Sequence, residues 1–240
     1  MKVLILINKV GLGDCIIHIN YIHEISKKYG KPVSILAKEN TRAKDLFLDD
    51  PHISEVITLD RLNDNTGCHD GLNGFFKLVK DIKEKKFDKV FIFNSSIRYF
   101  LICKIAGIKE IAQYPLFKKK GQHVVNTAKI FTENELNKIV STQPKLLISE
   151  EKILKAKKDI SKNHKNIVLG VSASGLTKRW GIKNFIELIE KINEKYPSKF
   201  YLAAGKKDQE LIDEILNSNV GSNCISLNNL KINEMFANDS

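Results

Sequence analysis

Val3-Leu4-Ile5-Leu6-Ile7, followed after Asn8-Lys9 by Val10-Gly11-Leu12-Gly13-Asp14-Cys15-Ile16, is the stretch that decides the fold. The five-residue run is apolar on both faces, which suits a strand in the middle of a covered parallel sheet. Gly11 and Gly13 predict a sharp turn and a close backbone approach to a ligand, with no Cβ in the way. Asp14 then opens an amphipathic helix reaching Tyr29, and the helix dipole keeps a carboxylate in a first turn ionised. Ligands of open α/β sheets bind beyond the carboxyl ends of the strands, so a charged acid there is placed to act as a base. Other readings of the same residues stay open. Asp14 also suits a plain helix cap. A dinucleotide fingerprint fits less well, because Ile16 replaces the third glycine and Asp14 would repel a pyrophosphate, although Glu39 at the end of the next strand favours it. Cys15 could serve as a nucleophile, but no base lies near it in sequence.

Working outward, strand and helix patterns alternate, the signature of a parallel sheet covered by helices. The sequence predicts strands at Val3–Ile7, Val33–Ala37, Val56–Leu59 and Val90–Phe93, with a weaker one near Ile111. Helices are expected at Asp14–Tyr29, Thr41–Leu48, Gly74–Lys85 and Ile97–Ile105. The segment Asp60–Asn73 reads as a long irregular loop, of the kind that is functional or mobile. Residues 1–120 form the first predicted domain. Alternation lapses between Pro115 and Pro144, so 121–145 reads as an interdomain linker with a helical stretch around His123 to Lys138. Residues 146–240 repeat the pattern, with strands Ile167–Val171, Phe200–Ala204 and Cys224–Leu227 and helices Glu150–Ser161, Ile182–Lys195 and Lys207–Asn217. Two facing Rossmann-like halves are the expected architecture.

Composition narrows the function classes. Of 240 residues, 42% are hydrophobic and 28% charged, enough for a sizeable core in a soluble protein. The formal net charge is +11, yet 35 of the 39 basic residues are Lys and only four are Arg. Arg, not Lys, specialises in bidentate phosphate and base contacts, so a nucleic-acid partner is not expected. A basic surface still suits peripheral contact with an anionic membrane. Cys15, Cys68, Cys103 and Cys224 lie far apart without metal spacing, which predicts reduced thiols, no zinc site and a cytoplasmic setting. The opening apolar run is too short for a signal peptide, and no stretch approaches the ~18 apolar residues that span a bilayer.

The second chemically informative stretch is Gly170-Val171-Ser172-Ala173-Ser174-Gly175-Leu176-Thr177-Lys178-Arg179-Trp180. It again joins a strand to a helix, offering small residues, hydroxyls and two adjacent cations. Those are the groups that orient and neutralise a phosphate. Walker A spacing is absent. A solvated Lys178-Arg179 pair and a core Trp180 are the plainer readings.

Gly11-Leu12-Gly13-Asp14, and Lys178-Arg179-Trp180-Gly181 followed by Asn184-Phe185-Ile186-Glu187-Leu188, resemble the two signatures of glycosyltransferase family 9, the ADP-heptose:lipopolysaccharide heptosyltransferases. Asn94-Ser95-Ser96-Ile97-Arg98, Ala106-Gly107-Ile108 and Gln122-His123-Val124-Val125-Asn126 are similar to other stretches of that family. The resemblance implies a GT-B enzyme, with an acceptor-binding first half and a nucleotide-sugar-binding second half. It implies transfer of heptose or a related sugar, with inversion and without metal or cofactor, from a donor such as ADP-heptose. The implied acceptor is an anionic glycolipid or glycan such as a lipopolysaccharide core, met at the cytoplasmic face of the inner membrane. Asp14 falls on the family's catalytic base and Lys178 on its donor-phosphate lysine, with Ser172, Ser174 and Arg179 beside the phosphates. Inverting chemistry needs such a base and such cations. No D-x-D motif is present.

Two departures stand out. Gly181 occupies a position where the family usually has Pro. The chain ends at Asn238-Asp239-Ser240, matching only the start of the family's N-D-[ST]-G-x-x-H loop, and 96 residues from Lys145 onward follow 144 before it. The expectation is therefore a C-terminally truncated member with an incomplete second domain and impaired turnover. A non-catalytic nucleotide- or glycan-binding module is the rival, and an NAD-binding Rossmann enzyme the third reading.

Overall fold

A computed structural model describes the whole chain except residues 9–10, 63, 65, 116–122, 162, 174, 206–207, 232–233 and 236–240, and the side chains of Asp159 and Leu176. The chain divides into two compact units, Met1–Leu147 and Ile148–Ser240. Both are α/β with parallel sheets.

The first unit is built on strands β1 (Val3–Ile7), β2 (Val33–Ala37), β3 (Ile53–Thr58), β4 (Lys89–Ile92) and β5 (Glu110–Gln113). They pair in the order β3-β2-β1-β4-β5, parallel throughout. β1 is central and wholly buried, as a strand apolar on both faces must be. Leu4 and Leu6 point into one core with Leu78, Ile82, Tyr99 and Ile102, which come from α3 (Gly71–Glu84) and α4 (Ile97–Ile105). The opposite face packs α1 (Leu12–Tyr29) and α5 (Val124–Leu136) through rings, with Phe131 edge-on to Phe93 at 5.2 Å and Tyr21 stacked on Phe93 at 6.5 Å. The expected Thr41–Leu48 helix is shorter. A 3-10 turn at Glu39–Thr41 passes through Arg42, whose φ of 56° breaks the helix, into α2 (Ala43–Leu46).

The segment read as a linker belongs to the first unit. Tyr21 donates a hydrogen bond to the Val125 carbonyl at 3.0 Å, Asn20 to the Ser141 carbonyl at 2.6 Å, and Lys138 pairs with Glu24 at 2.6 Å. Those partners lie more than a hundred residues apart in sequence, so local pattern could not show them.

The second unit has α6 (Glu150–Asp159), β6 (Lys165–Gly170), α7 (Ile182–Asn193), β7 (Ser198–Ala203), α8 (Gln209–Leu216) and β8 (Cys224–Ser226). Its three strands pair in the order β6-β7-β8, parallel. Leu169, Phe200 and Leu202 of the sheet meet Phe185 and Ile189 of α7 and Ile212 and Ile215 of α8. Among the described residues no helix is long and apolar enough to cross a membrane.

Candidate active site

The strand order of the first sheet reverses between β1 and β4, and the crevice beyond the carboxyl ends of such a pair is where an open α/β sheet receives ligands. The connection from β1 to α1 opens there, and its residues 9–10 lie outside the described set. Gly11 is the N-cap of α1, so Asp14 stands in the first turn and is not the cap. Among the described residues the Asp14 carboxylate takes part in no hydrogen bond or ion pair, whereas its backbone carbonyl is 2.6 Å from Nδ1 of buried His18. A base needs that combination of a fixed backbone and a free carboxylate.

Backbone conformation does not by itself require either glycine. Gly11 has φ −138° and ψ 161°, an extended conformation open to any residue, and Gly13 is not at positive φ. A Cβ on Gly11 would lie in ordinary contact with Asp14 Oδ2 at 3.4 Å, and one on exposed Gly13 would meet nothing within 4 Å. Cys15 is no nucleophile: burial, with Asp14 beside it, pushes its thiol up to about 12.

On the β4 side, Asn94 Oδ1 accepts the Ser96 N–H at 2.8 Å, and Gln113 donates to the Asn94 and Ser96 carbonyls at 3.0 Å each. The Asn94 amide nitrogen is buried with no hydrogen-bond partner among the described residues, a donor at the same switch point. Beyond β2 and β3 lies a cleft of about 380 Å³ lined by Lys38, Glu39, Arg42, Leu59, Asp60 and Arg61. The sequence pattern did not single out its cations, because they converge from two separate connections.

In the second unit, Ser172, Lys178 and Arg179 all sit on the connection from β6 to α7, while Ser174 lies outside the described residues. Ser172 Oγ accepts the Gly205 N–H at 3.0 Å, leaving its own hydrogen available. Lys178 ends a 3-10 turn over Leu176–Lys178, is exposed, and makes no ion pair among the described residues. Arg179, grouped with it on sequence grounds, is otherwise engaged. Its guanidinium bonds Asp208 Oδ1 at 2.6 Å and the Ala173 carbonyl at 3.4 Å, so it ties together the connections that follow β6 and β7. Asp208 and Gly205 are partners of these residues that the sequence reading missed. Trp180 is not a core residue either: it is exposed, with its ring edge-on to Phe185 at 5.0 Å. Gly181 has φ 97°, which proline's ring forbids, so the departure from the family's Pro matches the local backbone.

Two parallel α/β units, each presenting its polar residues beyond the carboxyl ends of its strands, define a fold of the GT-B glycosyltransferase class. A sequence profile of glycosyltransferase family 9 (heptosyltransferase) matches residues 112–237, just over half of the chain. The chain belongs to glycosyltransferase family 9. Among solved structures it is similar to Escherichia coli ADP-heptose lps heptosyltransferase II, with a TM-score of 0.72 and 17% identity over 99% of this chain and 76% of that one. The family 9 glycosyl transferase of Veillonella parvula DSM 2008 matches with a TM-score of 0.75 and 15% identity, covering 99% and 72%. E. coli heptosyltransferase WaaC with ADP-2-deoxy-2-fluoro heptose gives 0.68 and 11%, covering 99% and 79%. A search among curated protein sequences finds no match.

Proposed function

We propose that this chain transfers heptose or a related sugar, with inversion and without a metal or cofactor, from a nucleotide donor such as ADP-heptose to a lipopolysaccharide-core or similar anionic glycan. The observation that carries the reading is the Asp14 carboxylate, unpaired among the described residues at the switch point of the first sheet. In the proposed step Asp14 accepts the proton of an acceptor hydroxyl while that oxygen bonds to the anomeric carbon. The bond from that carbon to the donor phosphate breaks, and the nucleoside diphosphate leaves with the electron pair. Lys178 neutralises the departing diphosphate and the Ser172 hydroxyl donates to it, which strengthens as charge develops. Arg179 holds the loop through Asp208.

The test is an assay of the purified chain with ADP-heptose and a lipopolysaccharide-core acceptor. The expected product has the anomeric configuration opposite to the donor's, and its rate of formation is the same with EDTA. Donor binding without transfer would instead assign a binding module, and retained configuration or loss of activity in EDTA would refute the mechanism.

A further inference from the structure

α4 reads Ile97-Arg98-Tyr99-Phe100-Leu101-Ile102-Cys103-Lys104-Ile105 and is apolar almost all round. An outer helix of a soluble fold normally confines its apolar residues to the face it buries. α4 does bury such a face, with Tyr99, Ile102 and Cys103 in the core, but it also leaves Ile97 59%, Leu101 42% and Ile105 52% exposed. These three recur at i, i+4 and i+8, so they form one stripe along the helix. Its neighbour α3 repeats the pattern: Leu72 and Phe76, also four apart, are 78% and 62% exposed. Arg98 joins the two helices, donating to the His69 and Gly71 carbonyls at 3.0 and 2.9 Å and lying 5.3 Å from the Phe75 ring. The two stripes therefore share one surface of the first unit.

The charges on that surface have one predominant sign. α3 and α4 together carry five cations against two carboxylates; Asp81 is bonded to His69, and Glu84 lies 4.0 Å from Lys80 in a solvent-exposed pair. Lys80, Lys83 and Lys104 stand exposed along the apolar residues. Apolar side chains on adjacent helices with lysines at their border are what a peripheral protein presents to an anionic bilayer, where the rings and aliphatic groups enter the headgroup region and the ammonium groups meet lipid phosphates. None of these residues belongs to the Asp14 or Lys178 loops.

We infer that the outer face of α3 and α4, centred on Phe76 and Leu101 and bordered by Lys80, Lys83 and Lys104, docks the protein on an anionic lipid bilayer. The inference stands apart from sugar transfer, since it is read by binding alone. It is tested by co-sedimentation of the full chain with phosphatidylglycerol-rich vesicles and with pure phosphatidylcholine vesicles. The parent chain should sediment with the first and not the second, and added salt should release it. A Phe76→Ser/Leu101→Ser variant should lower partitioning roughly tenfold or more. A Lys80→Gln/Lys83→Gln/Lys104→Gln variant should also lower it, with thermal unfolding unchanged because all five positions are exposed. Ile139→Ser, at an 85% exposed position outside the patch, should change nothing. No sedimentation of the parent, or equal sedimentation of parent and variants, would overturn the inference. So would a concentration-dependent dimer abolished by the Phe76 and Leu101 changes, which would give the face to a second copy of this chain.

Discussion

Asp14 and Lys178 share a property that sets them apart from their neighbours: each carries a charge that no opposite charge answers among the described residues. Arg179, one residue from Lys178, is held by Asp208. On the proposed reading the two cations therefore separate in function, one for the donor phosphate and one for the loop. Lys178→Ala should cost roughly 1.5–3 kcal/mol in nucleotide affinity, the range for a charged hydrogen bond. Lys183→Ala, exposed in the first turn of α7, should cost almost nothing. Isothermal titration with ADP would check the pair, and equal losses would show the phosphate to lie elsewhere. Both charges were legible in the sequence because each stands in a short strand-loop-helix junction whose residue types carry their own chemistry. Asp208 and Gly205 were not, since their bonds reach back 29 and 33 residues and only the folded sheet brings them together. The extended backbone of Gly11 was not legible either, because the pattern shows a missing Cβ but not the conformation that goes with it.

Among the elements, the connection from β3 to α3 departs most from its sequence reading. The stretch read as an irregular loop over Asp60–Asn73 is shortened by a helix that starts at Gly71, and its remainder is bonded in several directions. Asp70 accepts from Arg61 at 2.8 Å and from the Leu62 and Gly67 amides at 2.9 and 3.1 Å, while His69 sits between the Asp60 amide and Asp81. No propensity scale contains those side-chain bonds, which span 3 to 12 residues. The Arg61 guanidinium, aided by the Leu62 amide, holds the Asp70 carboxyl below its ordinary 3.8. A depressed folded-state pKa means that this stabilisation is complete above about pH 4 and lost as pH falls through the folded value. Hydrogen exchange at the Leu62 and Gly67 amides, corrected for intrinsic rate, should stay flat between about pH 7 and about pH 5 and accelerate only below about pH 4. Acceleration near neutrality would mean that Asp70 is not what holds the loop. The same connection meets α3 at Gly74, where a Cβ would lie 2.2 Å from the His69 carbonyl carbon. Gly74→Ala should therefore destabilise by about 1–3 kcal/mol in urea unfolding, although alanine favours helix by about 1 kcal/mol. A stabilised variant would contradict that packing.

At the scale of the whole molecule, both parallel sheets were legible in the sequence, because short apolar strand runs alternate with helix-period segments. The boundary was harder to place. α5 looked like a bridge in the sequence and packs instead as the second helix on its face of the first sheet, where Phe131 meets Phe91, Phe93 and Tyr114. Residues 1–147, with five strands and helices on both faces, should consequently fold alone and unfold cooperatively, whereas a fragment ending at residue 120 should be markedly less stable. Thermal denaturation of the two fragments would show it, and equal stability would return α5 to the role of linker. On the proposed reading the Asp14 carboxylate joins the first sheet to chemistry, as the base of a sugar transfer. The most direct measurement of that role is kcat and donor Kd for Asp14→Asn, a change that keeps the shape of the side chain and removes its charge. kcat should fall by roughly 10²–10⁴-fold while donor Kd and thermal stability stay at the parent values. Turnover equal to the parent's would contradict it.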